Sequence, residues 1–271
     1  MKTKASKADM VKDQHLMVNK KSVEKIVSAA RLERQDRVLE IGAGAGILTR
    51  ALAMKGARVI AVEIDRSFRK VLGKIESGNV EIIYGNALEV MDGLAFDKVV
   101  SNIPYSICEP LINKLMARNF SLAVLSVPEK FYRILSAGPR ERGYSLLTLR
   151  ASSFFSVALS FRLKREDFDP PPQTESVVIT IRPLADKDYA KRPDKFIFRE
   201  LLLQRKKKLK NALMEGIINL NKKILSRAFT KNMAKKVISA MGLERSLLEK
   251  ESGQLTLADL EKIREKIRHF S

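Results

Sequence analysis

From Arg37 onward, short apolar runs rich in Val and Ile alternate with stretches whose apolar residues recur every three or four positions. VLEI (38–41), RVIAVEI (58–64), VEIIYG (80–85), DKVVSNI (97–103) and LAVLSV (122–127) read as strands. ILTRALAMKG (47–56), closed by Gly56, RSFRKVLGKI (66–75) and residues 109–118 read as the helices between them. Strands separated by helices of this length form βαβ units, and near-continuous apolar strands belong to a sheet covered on both faces. The pattern therefore predicts an α/β domain built on a doubly wound, mostly parallel sheet. SVVITIRPL (176–184) alternates like a late strand that could run antiparallel; Pro183 ends it, so this domain closes near residue 184. Beyond the DKDYAKRPDK linker the pattern is helical only. FIFRELLLQRKKKLKNALMEGI, NKKILSRAFTKNMAKKVISAMG and LTLADLEKIREKIRHF predict a small all-α C-terminal domain over 185–271, with Gly242 as a helix stop.

Composition narrows the class. With 45% hydrophobic and 30% charged residues in 271, the chain is no disordered basic tail, and no apolar run approaches the roughly 20 residues of a membrane span. A single cysteine, Cys108, forbids an internal disulfide, and two histidines make a histidine-rich metal site an unsuitable reading, so no metal is expected. A reduced, cytoplasmic setting is the expectation. The N-terminal MKTKASKADMVKDQH is basic and lacks the apolar stretch of a secretory signal, so it is expected to belong to the working protein.

The charge points to a partner. Against 31 Asp plus Glu stand 51 Lys plus Arg, a formal charge of +20, and residues 185–271 hold 22 of the basic and 11 of the acidic residues. Such an excess attracts polyanions through counterion release, RNA and DNA before anionic membrane. A solvated surface or a high-temperature ion-pair network is the competing explanation, but a network would carry more balanced signs. Arg205, Lys206, Lys207, Lys208 and Lys210 are the densest run, too crowded for all to face a core, and are the candidate phosphate contacts.

The candidate chemistry lies where strands end. The first strand runs into Gly42-Ala43-Gly44-Ala45-Gly46, and the second ends at Glu63, 17 residues after the last glycine. A glycine turn lets a ligand approach the backbone, and a carboxylate ending the next strand can accept both hydroxyls of a ribose, which implies an adenosine-containing cofactor. The glycines could instead merely pack helix on strand. Ser101-Asn102-Ile103-Pro104-Tyr105 ends the fourth strand, where open α/β sheets bind their ligands. The Asn102 amide oxygen and the Ile103 carbonyl could accept the two N–H groups of an amine, Pro104 would stiffen the turn, and Tyr105 offers a stacking face. An ordinary strand exit with Tyr105 in the core is the alternative.

In these motifs the sequence resembles the ribosomal RNA adenine dimethyltransferases of the KsgA and Dim1 type, most of all the archaeal members. The likeness is carried in order by DQHLMVN (13–19), LEIGAGAGILT, VEID, GNAL, SNIPYSI, FDPPPQTESVVI and the basic FRELLLQRKKKLKNAL. It implies a Rossmann-like methyltransferase fold and S-adenosylmethionine as cofactor. It further implies that His15 and Met17, in an N-terminal arm over 1–25, touch that cofactor. Gly42 and Gly44 would lie beneath it, Glu63 would hold its ribose and Asn86 its adenine amine. Asn102 would serve both cofactor and target. Phe168 would face Tyr105 across a base flipped out of its helix, although Phe168 and His15 could equally be packing residues.

The implied activity is transfer of methyl groups to the N6 amine of adenines in small-subunit ribosomal RNA, twice per adenine, during ribosome assembly. The implied partner is a small-subunit precursor, with no membrane involvement and a monomer as the working state. An Erm-like enzyme for large-subunit RNA and a weakly active RNA-binding assembly factor are the rivals. Three departures from the family pattern stand out. Asn86 replaces an Asp, so Asn86→Asp is expected to tighten cofactor binding. Leu16-Met17 replaces Phe-Leu, and Pro128 and Lys130 replace a Gln and a Glu at the active-site rim.

Overall fold

The computed structural model describes residues 15–268. Residues 1–14 of the N-terminal arm, with Asp13 and Gln14 of its motif, and residues 269–271 lie outside the described residues. The chain folds as two compact units, one of residues up to Ser136 together with Val157–Pro183, the other of Ala137–Ser156 together with Leu184 onward.

The strands are β1 (Leu16–Met17), β2 (Arg37–Ile41), β3 (Arg58–Glu63), β4 (Val80–Tyr84), β5 (Lys98–Asn102), β6 (Leu122–Pro128), β7 (Phe155–Leu163), β8 (Phe168–Asp169) and β9 (Ser176–Pro183). Seven of them form one sheet in the order β4-β3-β2-β5-β6-β9-β7. The pairs β2–β3, β3–β4, β2–β5 and β5–β6 are parallel, while β9 runs antiparallel to β6, with Pro128 opposite Ser176. The chain winds outward through β3 and β4, then returns to place β5 on the other side of β2. The sheet thus has its topological switch point between β2 and β5, where ligands of doubly wound folds bind.

Val38, Leu39, Ala61, Val99, Val100, Ala123 and Val124 are each no more than 0% exposed, so the central strands are buried on both faces, as parallel strands require. Each such aliphatic side chain contributes about 1.5–3 kcal/mol of burial. Helix Ile47–Met54 opens at Gly46 in the left-handed region (φ 77°), and Gly56 (φ 80°) ends its last turn.

A second, two-stranded sheet pairs β1 with β8, Leu16 opposite Asp169 and Met17 opposite Phe168. Val18 N–H donates to Asp167 O (2.8 Å), and Asn19 donates to the Asp167 carboxylate (2.7 Å) while its Oδ1 caps helix Lys20–Ala29. The described end of the N-terminal arm is therefore stitched to the segment before the proline run.

The helical unit packs Pro193–Leu203 against Leu209–Asn219 and Leu146–Phe154, and Leu209–Asn219 against Lys231–Ala240, around Phe196, Phe198, Leu201, Leu213 and Ile263. Two features depart from the periodicity. Helix Leu146–Phe154 lies within the span 1–184 that the linear pattern assigns to the α/β domain, yet it packs in the helical unit. It runs straight into β7 without a turn residue, and β7 has mostly partly or fully exposed positions, so neither carries a clear apolar signal. The run FIFRELLLQRKKKLKNAL is not one helix but breaks at Gln204–Lys208. Leu201, Leu209 and Leu213 stay four or eight positions apart across the break, so the periodicity conceals it. The backbone of the turn is instead bonded elsewhere: Gly253 N–H donates to Arg205 O, Ser252 N–H to Lys207 O and Leu209 N–H to Lys250 O, each at 2.8 Å.

Candidate functional site

The glycine turn and the SNIPY string meet at the switch point. Gly42 leaves β2 with φ 76°, and a Cβ placed there would lie 3.4 Å from Pro104 Cδ. Behind them the buried Ser101 hydroxyl donates to Ile41 O at 2.5 Å, tying β5 to β2 where the two motifs begin. Gly44 is left-handed too (φ 53°), and a side chain there would run into Leu16 Cδ2 at 2.7 Å, so the arm lies over the glycine turn.

Glu63 ends β3 with its side chain buried. Its Oε2 accepts Gly44 N–H (2.7 Å) and its Oε1 accepts Asp65 N–H (2.8 Å). A carboxylate offers about four lone-pair sites, so two remain for hydroxyl donors. Asn86, after the neighbouring strand β4, caps helix Ala87–Val90: its Oδ1 accepts Leu88 N–H (3.0 Å) and its Nδ2 donates to Glu89 Oε1 (3.0 Å). Glu89 was not among the sequence candidates.

Asn102 Nδ2 donates to His15 O at 2.9 Å. That bond fixes the orientation of the amide and leaves Oδ1 as the acceptor. His15 is anchored in turn, its Nδ1–H donating to Pro170 O at 2.9 Å, and its ring lies 5.7 Å from that of Tyr105 at a 43° tilt. The Tyr105 hydroxyl and Ser176 Oγ share a hydrogen bond. Ser176 is a residue that the sequence reading missed, because a serine opening an apolar strand carries no signal of what faces it.

The structure brings together His15, Gly42, Gly44, Asn102, Pro104 and Tyr105, with Ile103 buried beneath them. It places Met17 and Phe168 differently: both belong to the hydrophobic core, 5% and 3% exposed, and are paired across β1 and β8. Among the described residues the ring of His15 lies beside that of Tyr105. At the rim, Pro128 pairs with Ser176, and Glu129 is held by Arg162 (2.7 Å) and Arg133 (2.9 Å). The Arg162 guanidinium is the main reason that the Glu129 carboxyl is pulled down to about 2.

The basic run lies in the helical unit, exposed, but three of its members are engaged. Lys207 pairs with Glu215 (2.6 Å), and Lys208 and Lys210 pair with Glu249 (2.7 and 2.5 Å), whose carboxyl they hold down to about 2. Arg205 and Lys206 form no ion pair among the described residues.

One buried group beside the glycine turn gives a pH prediction. Glu40, on β2, is 1% exposed, and its Oε2 and the nearby Thr49 Oγ1 find no hydrogen-bond partner among the described residues. Burial pushes its carboxyl from 4.5 up to about 8, and the charge of Glu63 adds to the shift. The folded state thus holds this proton more tightly than the unfolded chain. Its stability is fully present below pH 4.5 and is lost as pH rises toward 8, at up to about 1.4 kcal/mol per pH unit. Glu40→Gln, neutral throughout, should escape that loss. In thermal melts the variant's advantage over wild type should grow from pH 5 to pH 8; an offset independent of pH would show that Glu40 does not titrate there.

A parallel sheet whose switch point holds a left-handed glycine turn, a buried carboxylate and an Asn-Ile-Pro-Tyr string has the layout in which doubly wound α/β folds bind nucleotide-like ligands. Residues 6–246 match the family described as ribosomal RNA adenine dimethylase, and the chain belongs to that family. A protein of Methanosarcina mazei named "Probable ribosomal RNA small subunit methyltransferase A" is 38% identical over 207 residues, 74% of this chain and 76% of that one. A namesake from Methanothermobacter thermautotrophicus is 34% identical over 259 residues, 95% of this chain and 90% of its own. Among solved structures, a dimethyladenosine transferase from Plasmodium falciparum superposes with a TM-score of 0.62 at 26% identity, covering 94% of this chain and 98% of that one.

Proposed function

We propose that this protein transfers methyl groups from S-adenosylmethionine to the N6 amine of adenines in small-subunit ribosomal RNA, two per adenine, acting as a cytoplasmic monomer on a precursor of that subunit. The observation that carries this reading is the orientation of Asn102, whose Nδ2 is committed to His15 O, so that Oδ1 is left as the acceptor at a strand end whose carbonyl lies 3.9 Å from where a Gly42 Cβ would be.

The residues fit the cofactor. The glycine turn offers bare backbone that a Cβ would obstruct, and Glu63 retains acceptor capacity for a ribose. When bound, S-adenosylmethionine supplies an electrophilic methyl group. The chain's own contribution is alignment and charge. Asn102 Oδ1 and the Ile103 carbonyl accept the two N–H groups of the amine, turning its lone pair out of the ring's conjugation and toward the methyl group. Both acceptors are set in place before reaction, so they favour the positive charge that develops on nitrogen as the new bond forms. Tyr105, its hydroxyl held by Ser176, stacks on the flipped base. No side-chain base is required, because the methylated cationic nitrogen is acidic enough to give its proton to water. Arg205 and Lys206, the members of the basic run without carboxylate partners, contact RNA phosphates.

The test is incubation of the purified protein with methyl-labelled cofactor and separated, unmodified ribosomal RNAs, followed by nucleoside mass spectrometry. N6,N6-dimethyladenosine confined to small-subunit RNA is expected. Label in large-subunit RNA alone, or no transfer, would overturn the assignment.

The Asn86–Glu89 bond alters one expectation. Aspartate at 86 would keep the helix cap but set a second carboxylate against Glu89, at the 3.0 Å where an amide donor now sits. Asn86→Asp alone should change cofactor affinity less than about threefold. Asn86→Asp combined with Glu89→Gln should tighten it about tenfold, the gain of one charge-assisted over one neutral hydrogen bond. Calorimetry finding the single variant as tight as the double would show that Glu89 does not oppose the charge.

A further inference from the structure

Among residues 216–243 there are six cations, Lys222, Lys223, Arg227, Lys231, Lys235 and Lys236, and no Asp or Glu. All six are exposed, and none forms an ion pair among the described residues. Elsewhere in the helical unit cations stand among carboxylates, and several are matched: Lys207 with Glu215, Lys208 and Lys210 with Glu249, Lys250 with Asp259, Lys262 with Glu244 and Arg264 with Glu261. The two basic segments share one supporting helix. Leu220–Ile224 forms a π-helical turn, closed by Leu225 N–H donating to Leu220 O (3.0 Å), and helix Lys231–Ala240 follows; both pack on Leu209–Asn219.

In that helix Ala234 and Ile238 face the core, while Lys231 and Lys235, four apart, share an outward face with Lys236 beside them. Like charges at this spacing repel by a few tenths of a kcal/mol per pair. No carboxylate relieves them, so the face costs stability when free and is relieved by an anionic partner.

We propose that this face, formed by Lys222, Lys223, Arg227, Lys231, Lys235 and Lys236, is a second RNA-docking surface that grips the phosphate backbone of folded ribosomal RNA. It rests on the proposed function for the identity of the polyanion. Six flexible or forked cations, with the intervening Phe229 packed on the core, suit a repeating line of phosphates, giving affinity and register without reading sequence.

The test neutralises four of them, K222Q/K223Q/K231Q/K235Q, in the full chain, with the corresponding Lys→Arg variant as control. Binding to a small-subunit RNA transcript is measured as a function of salt. The log–log slope should fall by about 3–3.5 in the Gln variant, at roughly 0.7–0.9 for each of four lost contacts, and remain unchanged in the Arg variant. Cofactor affinity should be unaltered in both. In wild type, bound RNA should protect these four amines from acetylation, a readout that needs no variant. An unchanged slope with unprotected amines would overturn the proposal, as would loss of binding to vesicles of anionic phospholipid with RNA binding intact. Loss of the activity reading itself would show separately, as wild-type protein that fails to methylate small-subunit RNA.

Discussion

Asn102→Ala is expected to lower the rate of methyl transfer by about two to three orders of magnitude while leaving RNA affinity within a factor of about three. The first part follows because preorganised groups facing developing charge in a dry site are each worth that much. The second follows because Asn102 touches one amine and makes no phosphate contact, so the loss appears in turnover rather than in binding. The structure adds a complication: Asn102 also holds His15 through its Nδ2. Truncation frees the arm as well as removing the acceptor, and the two effects need separating. Asn102→Asp does so, since it keeps an acceptor but replaces the donor to His15 O with a carboxylate oxygen that repels it. If the acceptor alone mattered, Asp would be nearly as active as Asn. We expect it to be impaired, with weaker cofactor binding, because the arm that carries His15 is displaced. Near-normal turnover of Asn102→Ala in single-turnover assays would mean that the string is a structural strand exit.

The parts of this site that could be read from the chain are those where backbone and ligand needs coincide with strong local signals. Central parallel strands are apolar on both faces, so β2, β3, β5 and β6 stand out as runs, and the turns at their ends follow from Gly42–Gly46 and Pro104. Contacts made over long sequence separations left no such trace. The β1–β8 pair is two residues long, too short for any period, yet it carries the arm to the site. Ser176 reaches Tyr105 across 71 positions, and nothing in its surroundings distinguishes it from any serine at a strand start. Phe168, singled out by its place before the proline run, is buried opposite Met17, a pairing over a two-residue strand that no sequence period could announce. Charge was legible in amount but not in arrangement. The conspicuous run at 205–210 is partly neutralised by Glu215 and Glu249, which lie up to 41 positions away, whereas none of the more dispersed cations of 222–236 forms an ion pair among the described residues.

Glu63→Ala is expected to weaken cofactor binding by one to three orders of magnitude and, unlike a simple loss of ligand contacts, to lower the melting temperature too. The affinity loss comes from two charge-assisted hydrogen bonds to the ribose hydroxyls, at roughly 1.5–3 kcal/mol each before the non-additivity of neighbours is allowed for. The stability loss comes from the other two lone pairs. In the free protein they accept Gly44 N–H and Asp65 N–H, so the carboxylate is what holds the left-handed glycine turn against the end of β3. Alanine leaves the Gly44 donor buried without its partner, a cost of about 1–3 kcal/mol. Glu63→Gln separates the two roles, because an amide has one acceptor oxygen and must turn its NH2 toward one of the two backbone donors. It should be nearly as damaging to stability as Ala, and intermediate for the cofactor. Calorimetric titration with S-adenosylhomocysteine, alongside thermal melts of the free protein, measures both. Unchanged affinity in Glu63→Ala would remove the ribose assignment. A lowered affinity with an unchanged melting temperature would instead show that the glycine turn keeps its shape without the carboxylate, so that Glu63 serves the ligand alone.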